Sequence, residues 1–257
     1  MNKPAIFLIG SGNVATQLGR AFAKAGFPIS GVLGRNPVPG KTLAWELNCP
    51  FTTDCKAIPS ETGIVISAIK DSAGVEVWKN CNFNDALVLH TAGSLPLSAL
   101  EPFAKNCGVL YPLQSISKTR NLDFNKVPIL IEGNTPENLA KVRALATSIS
   151  DTVKEVDSNQ RASVHLAAVF ANNFTNHMYR CAEVLLAEQG LPLSYLHPLI
   201  EETFLKIANL SPKESQTGPA VRFDENIMNK HLDKLNNHPN LRTIYQLLSE
   251  NIHNDYK

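Results

Sequence analysis

The start of the chain constrains the fold most. There the apolar run Ile6-Phe-Leu-Ile9 enters Gly10-Ser11-Gly12-Asn13-Val14-Ala15. Gly-x-Gly-x-x-Ala after a strand and before a helical pattern reads as strand, turn, helix. Gly10 allows the tight turn, Gly12 lets a bound group approach the backbone, and Ala15 lets helix and strand pack closely. The first N–H groups of a helix have no partner within it, and the helix dipole favours an anion there. The spacing therefore predicts a dinucleotide diphosphate site formed by Gly10, Ser11, Gly12, Asn13, Val14 and Ala15. Leu18, Ala21, Phe22 and Ala25 continue at helical spacing, and Gly26 ends the pattern.

The next strand, Ile29–Leu33, bears on the choice of cofactor. Sheets that bind NAD usually carry an acid at its end for the ribose hydroxyls, whereas NADP sites place an Arg nearby. Here the strand leads to Gly34-Arg35-Asn36, and no carboxylate precedes Glu46. Arg35 and Asn36 therefore favour NADP over NAD. Ala68, late in the run Ile64–Ile69, completes the expected cofactor-binding set. The acid-free stretch holds Lys3, Arg20, Lys24, Arg35 and Lys41, which reads as a cation surplus placed around a phosphate-rich cofactor.

Further β-rich runs are Ala86–Leu89, Val109–Leu110, Val127–Ile131 and a short Val153–Val156. Helical patterns lie between the strands at Pro39–Leu47, Asp71–Lys79, Pro96–Phe103 and Pro136–Ile149. This alternation predicts an α/β domain with a mostly parallel sheet covered on both faces. From Ser158 onward the pattern is all-helical: Ser158–Glu188, Leu193–Asn209, Asp224–Asn236 and Pro239–Asn251. The expected organisation is thus an α/β dinucleotide-binding domain over 1–156 and an all-α domain over 157–257.

The 257 residues carry 24 basic and 23 acidic side chains, a balance that argues against a nucleic-acid partner. No apolar run reaches the roughly 18 residues of a membrane helix, and the first run is too short and too soon broken for a signal peptide. Five scattered cysteines without a CxxC pair read as free thiols of a reducing cytoplasm, with no metal site.

Substrate groups are expected beyond the carboxyl ends of the strands. His90, Thr91 and Ser94 follow Ala86–Leu89, and Tyr111-Pro-Leu-Gln-Ser115 forms a further loop with a weaker signal. Asp71 and Asp224 read as helix N-caps. In Ser158–Glu188, regular helical spacing puts His165, Asn172, Asn176 and Glu183 in one stripe. Leu166, Phe170, Phe174, Met178, Cys181 and Leu185 face the other way. Asn is a poorer helix former than Lys, Glu or Gln, so Asn172 and Asn173 point to a polar cleft. Thr217-Gly-Pro219 and Arg222 form a loop suited to closing over a substrate, with Arg222 available to a carboxylate.

Together, Gly10-x-Gly12-Asn13-x-Ala15, His90-Thr-Ala-Gly-Ser94, Pro112-Leu-Gln114, His165-Leu-Ala-Ala, Asn172-Asn173 and Thr217-Gly-Pro219 resemble the 6-phosphogluconate-dehydrogenase-like superfamily. Within it the chain is most similar to an uncharacterised family of NADP oxidoreductases, related to deazaflavin-dependent NADP reductases and pyrroline-5-carboxylate reductases. The resemblance covers nearly the whole chain. It implies a Rossmann domain, a helical dimerisation domain that makes a homodimer, and a cleft between the domains. Hydroxyacid dehydrogenases of the superfamily use a Lys with an Asn four residues on. Here His165 stands in the helix with its first Asn seven residues on, and Tyr111 stands where relatives often have His.

The expected activity is hydride transfer between NADP(H) and a small carbonyl, hydroxy or imine metabolite. His165 would exchange the proton, Asn172 or Asn173 would orient the substrate, and His90, Thr91, Ser94, Thr217 and Arg222 would bind it. A rival expectation is an NADP-binding sensor or scaffold without turnover. Another is reduction through a deazaflavin or flavin partner.

Overall fold

A computed structural model describes residues 3–257. Eight strands form one sheet in the order β3-β2-β1-β4-β5-β6-β7-β8. They are β1 Ile6–Ile9, β2 Ile29–Leu33, β3 Phe51–Thr52, β4 Ile64–Ser67, β5 Leu87–His90, β6 Cys107–Pro112, β7 Ile129–Gly133 and β8 Val153–Glu155. The first six follow the doubly wound order 3-2-1-4-5-6 in parallel. β7 runs antiparallel to β6, and β8 runs parallel to β7.

The central strands are apolar at nearly every position because both faces are covered. Ile6 and Leu8 join Ala15, Leu18 and Phe22 of helix α1 (Asn13–Lys24) in one core, which also takes Val142 and Leu145 of α4 (Pro136–Thr147). Phe7 and Ile9 point the other way, into a core with Val65, Val88 and Trp78 of α3 (Gly74–Trp78).

Several local expectations are corrected. The pattern at Pro96–Phe103 forms only a 3-10 turn at Leu97–Ala99, because Pro102 disfavours helix in the residue before it. Asp71 caps no helix. It opens a 3-10 turn, Asp71–Ala73, whose N-cap is Lys70. The helix expected at Pro39–Leu47 is α2 at Pro37–Glu46, capped by Asn36.

The long pattern Ser158–Glu188 is not one regular helix. Helix α5 (Ser158–Ala168) passes into a π-helical segment, Val169–Phe174, and then into α6 (Thr175–Ala187). A π-turn inserts an extra residue, so the single stripe expected from regular spacing is broken within it. Leu166 and Phe170, expected on a buried face, are 60% and 63% exposed.

The chain divides into two compact units, one reaching Asn173 and the other running Phe174–Lys257. This division falls inside the π-helical segment. The second unit is helical: α6, α7 (His197–Asn209), α8 (Pro212–Ser215), α9 (Pro219–Arg222), α10 (Glu225–Lys234) and α11 (Pro239–Asp255). Asp224 caps α10 as expected, accepting from the Ile227 N–H at 3.2 Å. Polar links within the unit include Glu188 to His238 at 2.7 Å and His231 Nδ1 to Tyr245 Oη at 2.9 Å.

Candidate active site

The glycine-rich turn meets its steric demands. Gly10 has φ +114°, and a Cβ there would stand 2.5 Å from the carbonyl oxygen of Ala68. Only glycine fits this approach of β1 to the end of β4. Ala15 is fully buried beneath the turn, and Val14 packs beside the same core. Gly12 is the N-cap of α1 and makes no side-chain capping bond. A Cβ built on Gly12 would meet nothing within 4 Å. The exposed residues Gly12 and Asn13 thus leave the first-turn N–H groups of α1 open to an anion, and these residues fit a diphosphate.

The cations are distributed differently from the sequence expectation. Arg20 is held by Glu46, the first acid of the chain, at 2.5 Å, and also donates to the Lys118 carbonyl at 2.9 Å. Lys3 precedes β1, at the amino ends of the strands, and donates to the Ala25 carbonyl. Neither is a free cation beside the turn. Arg35 is exposed beyond the carboxyl end of β2, where a 2′-phosphate is expected. The Asn36 side-chain Oδ1 accepts from the Val38 N–H at 3.1 Å, so that half of its amide caps α2.

Sequence reasoning missed Lys118. Its Nζ donates to the Ser11 carbonyl at 2.6 Å, which brings a cation to the glycine turn from over a hundred residues away. Gln17, buried on α1, pins this segment by donating to the carbonyls of Ser117 and Arg120, each at 2.7 Å. A buried Gln on an apolar helix face was the available signal, since it requires partners.

The end of β5 and the loop after it hold three candidate residues in different settings. His90 is 1% exposed and its ring stacks on Trp78. Nδ1 accepts from the Ala92 N–H at 3.2 Å. Burial, helped by the Arg161 charge, pushes the His90 imidazole down to about 3, so it is neutral at ordinary pH. Thr91 is half-buried, and Ser94 is exposed with its hydroxyl donating to Asp71 at 2.7 Å.

His165 of α5 reaches the same end of the sheet. Tyr111, near the carboxyl end of β6, places its hydroxyl 3.0 Å from His165 Nδ1, with the rings edge-to-face. Gly93 lies against the imidazole, where a Cβ would come within 2.6 Å of Cγ and Nδ1. The third small residue of His90-Thr-Ala-Gly-Ser94 thus makes room for a catalytic candidate. Burial, with the Asp71 charge adding to it, raises the Tyr111 hydroxyl above its usual value, so it keeps its proton.

A buried ion pair anchors α5. The Arg161 side chain is 1% exposed and pairs with the Glu132 carboxylate on β7. It also donates to the Leu95 carbonyl at 2.6 Å. Ser158 donates to Glu132 at 2.9 Å and accepts from the Leu97 N–H at 3.0 Å. An Asp157–Gln160 capping box closes the helix end. One turn after Arg161, His165 is thereby tied to β7 and the 95–97 loop.

Asn172 and Asn173 are exposed within the π-helical segment. Thr217 and Arg222 belong to the second unit, both exposed, Arg222 as the last residue of α9. Among the described residues no group of three or more His, Cys, Asp or Glu side chains is placed to hold a metal. No helix there is long and apolar enough to cross a membrane.

Residues 127–252 match the family model described as a domain of unknown function, DUF2520. A Bacteroides fragilis protein described as "putative NADP oxidoreductase BF3122" is 41% identical. The match covers 98% of this chain and 99% of that one, with a TM-score of 0.92. Pyrroline-5-carboxylate reductase of Streptococcus pyogenes shares the fold at 16% identity, covering 99% and 100% with a TM-score of 0.68. An imine reductase of Streptomyces aurantiacus does so at 12%, covering 97% and 93% with a TM-score of 0.75. No curated protein matches significantly.

Proposed function

Because the chain belongs to the DUF2520-containing family of NADP oxidoreductases represented by the Bacteroides fragilis protein, we propose that it binds NADP(H) and reduces or oxidises a small metabolite. Its substrate class is a carbonyl, hydroxy or imine compound. The observation that carries the reading is the open α1 N-terminus at Gly10–Gly12, with a histidine held at the same end of the sheet.

Ser11, Gly12, Asn13 and Val14 hold the diphosphate by backbone N–H groups, with Lys118 beside them. Arg35 and the free half of the Asn36 amide hold the 2′-phosphate, which makes NAD the weaker ligand. NADP(H), when bound, supplies or accepts the hydride. His165 gives the proton to the substrate nitrogen or oxygen in reduction and takes it back in oxidation. Ser94 and Thr91 line the nicotinamide side, with Asp71 orienting the Ser94 hydroxyl. Neutral His90 supports that loop from below. Asn172 or Asn173 orients the substrate, and Thr217 and Arg222 bind its polar end, Arg222 taking a carboxylate. The protein works in the cytoplasm as a homodimer; its free cysteines and the outward apolar side chains of the second unit support this reading.

A turnover screen with NADPH against small carbonyls and cyclic imines tests the activity. His165→Ala is expected to lower kcat at least about a hundredfold. A kcat within a few-fold of the parent removes His165 from the chemistry. Tight NADPH binding without hydride transfer to any substrate returns the sensor or scaffold reading.

A further inference from the structure

We propose that residues 117–120 form a preset clamp on the cofactor diphosphate, with Lys118 as its cation and Gln17 as the positioning residue that holds it in place. The inference rests on the reading of the glycine turn as an NADP(H) site. Residues 117–120 lie in neither a helix nor a strand, so no ladder of backbone bonds fixes them. Side chains of α1 fix them instead. The Gln17 amide nitrogen carries two hydrogens. It donates one to the Ser117 carbonyl and one to the Arg120 carbonyl, each at 2.7 Å. Arg20, three residues on and so on the same helix face, donates to the Lys118 carbonyl at 2.9 Å. Glu46 holds Arg20 from its other side at 2.5 Å. Three of the four carbonyls in the segment are thus bound by the helix that starts at the glycine turn.

The clamp brings an ammonium group to a defined place. Lys118 Nζ donates to the Ser11 carbonyl at 2.6 Å. An ammonium has three N–H groups, so two remain for the oxygens of an anion at the same turn. The open N–H groups of α1 offer partial charges, and Lys118 adds a full one. A lysine on an untethered irregular segment would have to be ordered as the cofactor arrives, and that ordering would be subtracted from the affinity. Here the ordering is done in advance. Gln17 is 3% exposed and both its N–H groups are spent on the segment, so it acts only through Lys118.

Isothermal titration of NADPH into the full-length chain tests this through a double-mutant cycle. Lys118→Met is expected to raise Kd about tenfold, and Gln17→Met nearly as much. With Lys118 already replaced, adding Gln17→Met should change Kd by less than about twofold, because the clamp then holds no cation. A Gln17 that served stability alone would weaken binding equally in both backgrounds, and that result overturns its positioning role. Trypsin gives a reading without cofactor. It cuts after Lys118 and Arg120, whose carbonyls are held by Arg20 and Gln17. In Gln17→Met these cuts should quicken about tenfold while cuts elsewhere keep their rate. An unchanged rate also overturns the positioning role. Lys118 is half-buried on an irregular segment, so Lys118→Met keeps the test open whatever Gln17→Met does to folding. A parent that binds NADPH, with Lys118→Met within about twofold of it, overturns the clamp alone. A parent that takes up no NADPH overturns the cofactor reading and the clamp with it.

Discussion

Up to Asn173 the chain buries most of its large apolar residues within itself, Trp45, Leu166 and Phe170 being exceptions; after Phe174 it largely does not. Every residue of β1, β4 and β5 is buried, and two cores cover the two faces of the sheet. In the second unit Ala220 and Leu235 are the buried hydrophobic side chains among the described residues. Leu199, Phe204, Leu205 and Ile207 of α7, and Leu247 and Leu248 of α11, are left outward. The contrast shows that similar apolar composition can serve two ends. A sheet sandwiched between helices completes its layers in one chain, whereas a bare helix face needs a further layer. Monomers rarely show broad apolar surface, and here a second copy is the proposed cover.

The contrast breaks most completely at α7. Phe204 is 66% exposed. Phe204→Asp should leave the first unit intact and reduce the sedimenting mass from twice 28.1 kDa to 28.1 kDa. If the parent itself sediments at 28.1 kDa, the second copy is ruled out. A matched pair of truncations sharpens the comparison within one chain. Ile66→Ala, in the β4 core, should cost about 2–5 kcal/mol in urea unfolding. Leu205→Ala, measured under dissociating dilution, should cost less than about 1 kcal/mol. Similar losses at both sites would erase the distinction.

Acid is expected to act on the first unit through His90. Folded His90 binds its proton only near pH 3, whereas in the unfolded chain it does so near its ordinary 6.5. Its contribution to stability is complete above that value and is lost as pH falls from there toward about 3. The slope is about 1.4 kcal/mol per pH unit. His90→Phe should flatten the stability curve by one proton over that window; an unchanged slope would show that the buried ring is not the acid-sensitive group. The smallest expected effect is at the surface. Arg35→Ala should weaken NADPH binding about tenfold and leave NADH unchanged, as isothermal titration would show. Equal losses for both nucleotides would detach Arg35 from the 2′-phosphate.

The parts of the fold legible in sequence are those governed by local pattern. The turn at Gly10 and Gly12, the apolar strands and the Asp224 cap depend on neighbours a few residues away. The missed parts depend on distant partners or on small shifts of period. Glu46 takes Arg20 out of the cation cluster, and Lys118 enters the glycine turn from beyond β6. Gly93 gains meaning only when His165 lies against it, and no spacing rule joins Tyr111 to a histidine 54 residues on. The His165–Asn172 stripe assumed a constant helical period that the π-helical segment does not keep.

That segment gives the helix two phases. Side chains before Val169 are indexed to the sheet through Arg161, and those after Phe174 start a fresh count one residue out of step. Deleting a single residue there, with no atom of Tyr111 or His165 touched, would close the wide turn into regular α-helix. Like a gear tooth, the extra residue matters through its count and not through its identity. The same deletion in regular helix would instead put every later position of that helix about 100° out of phase.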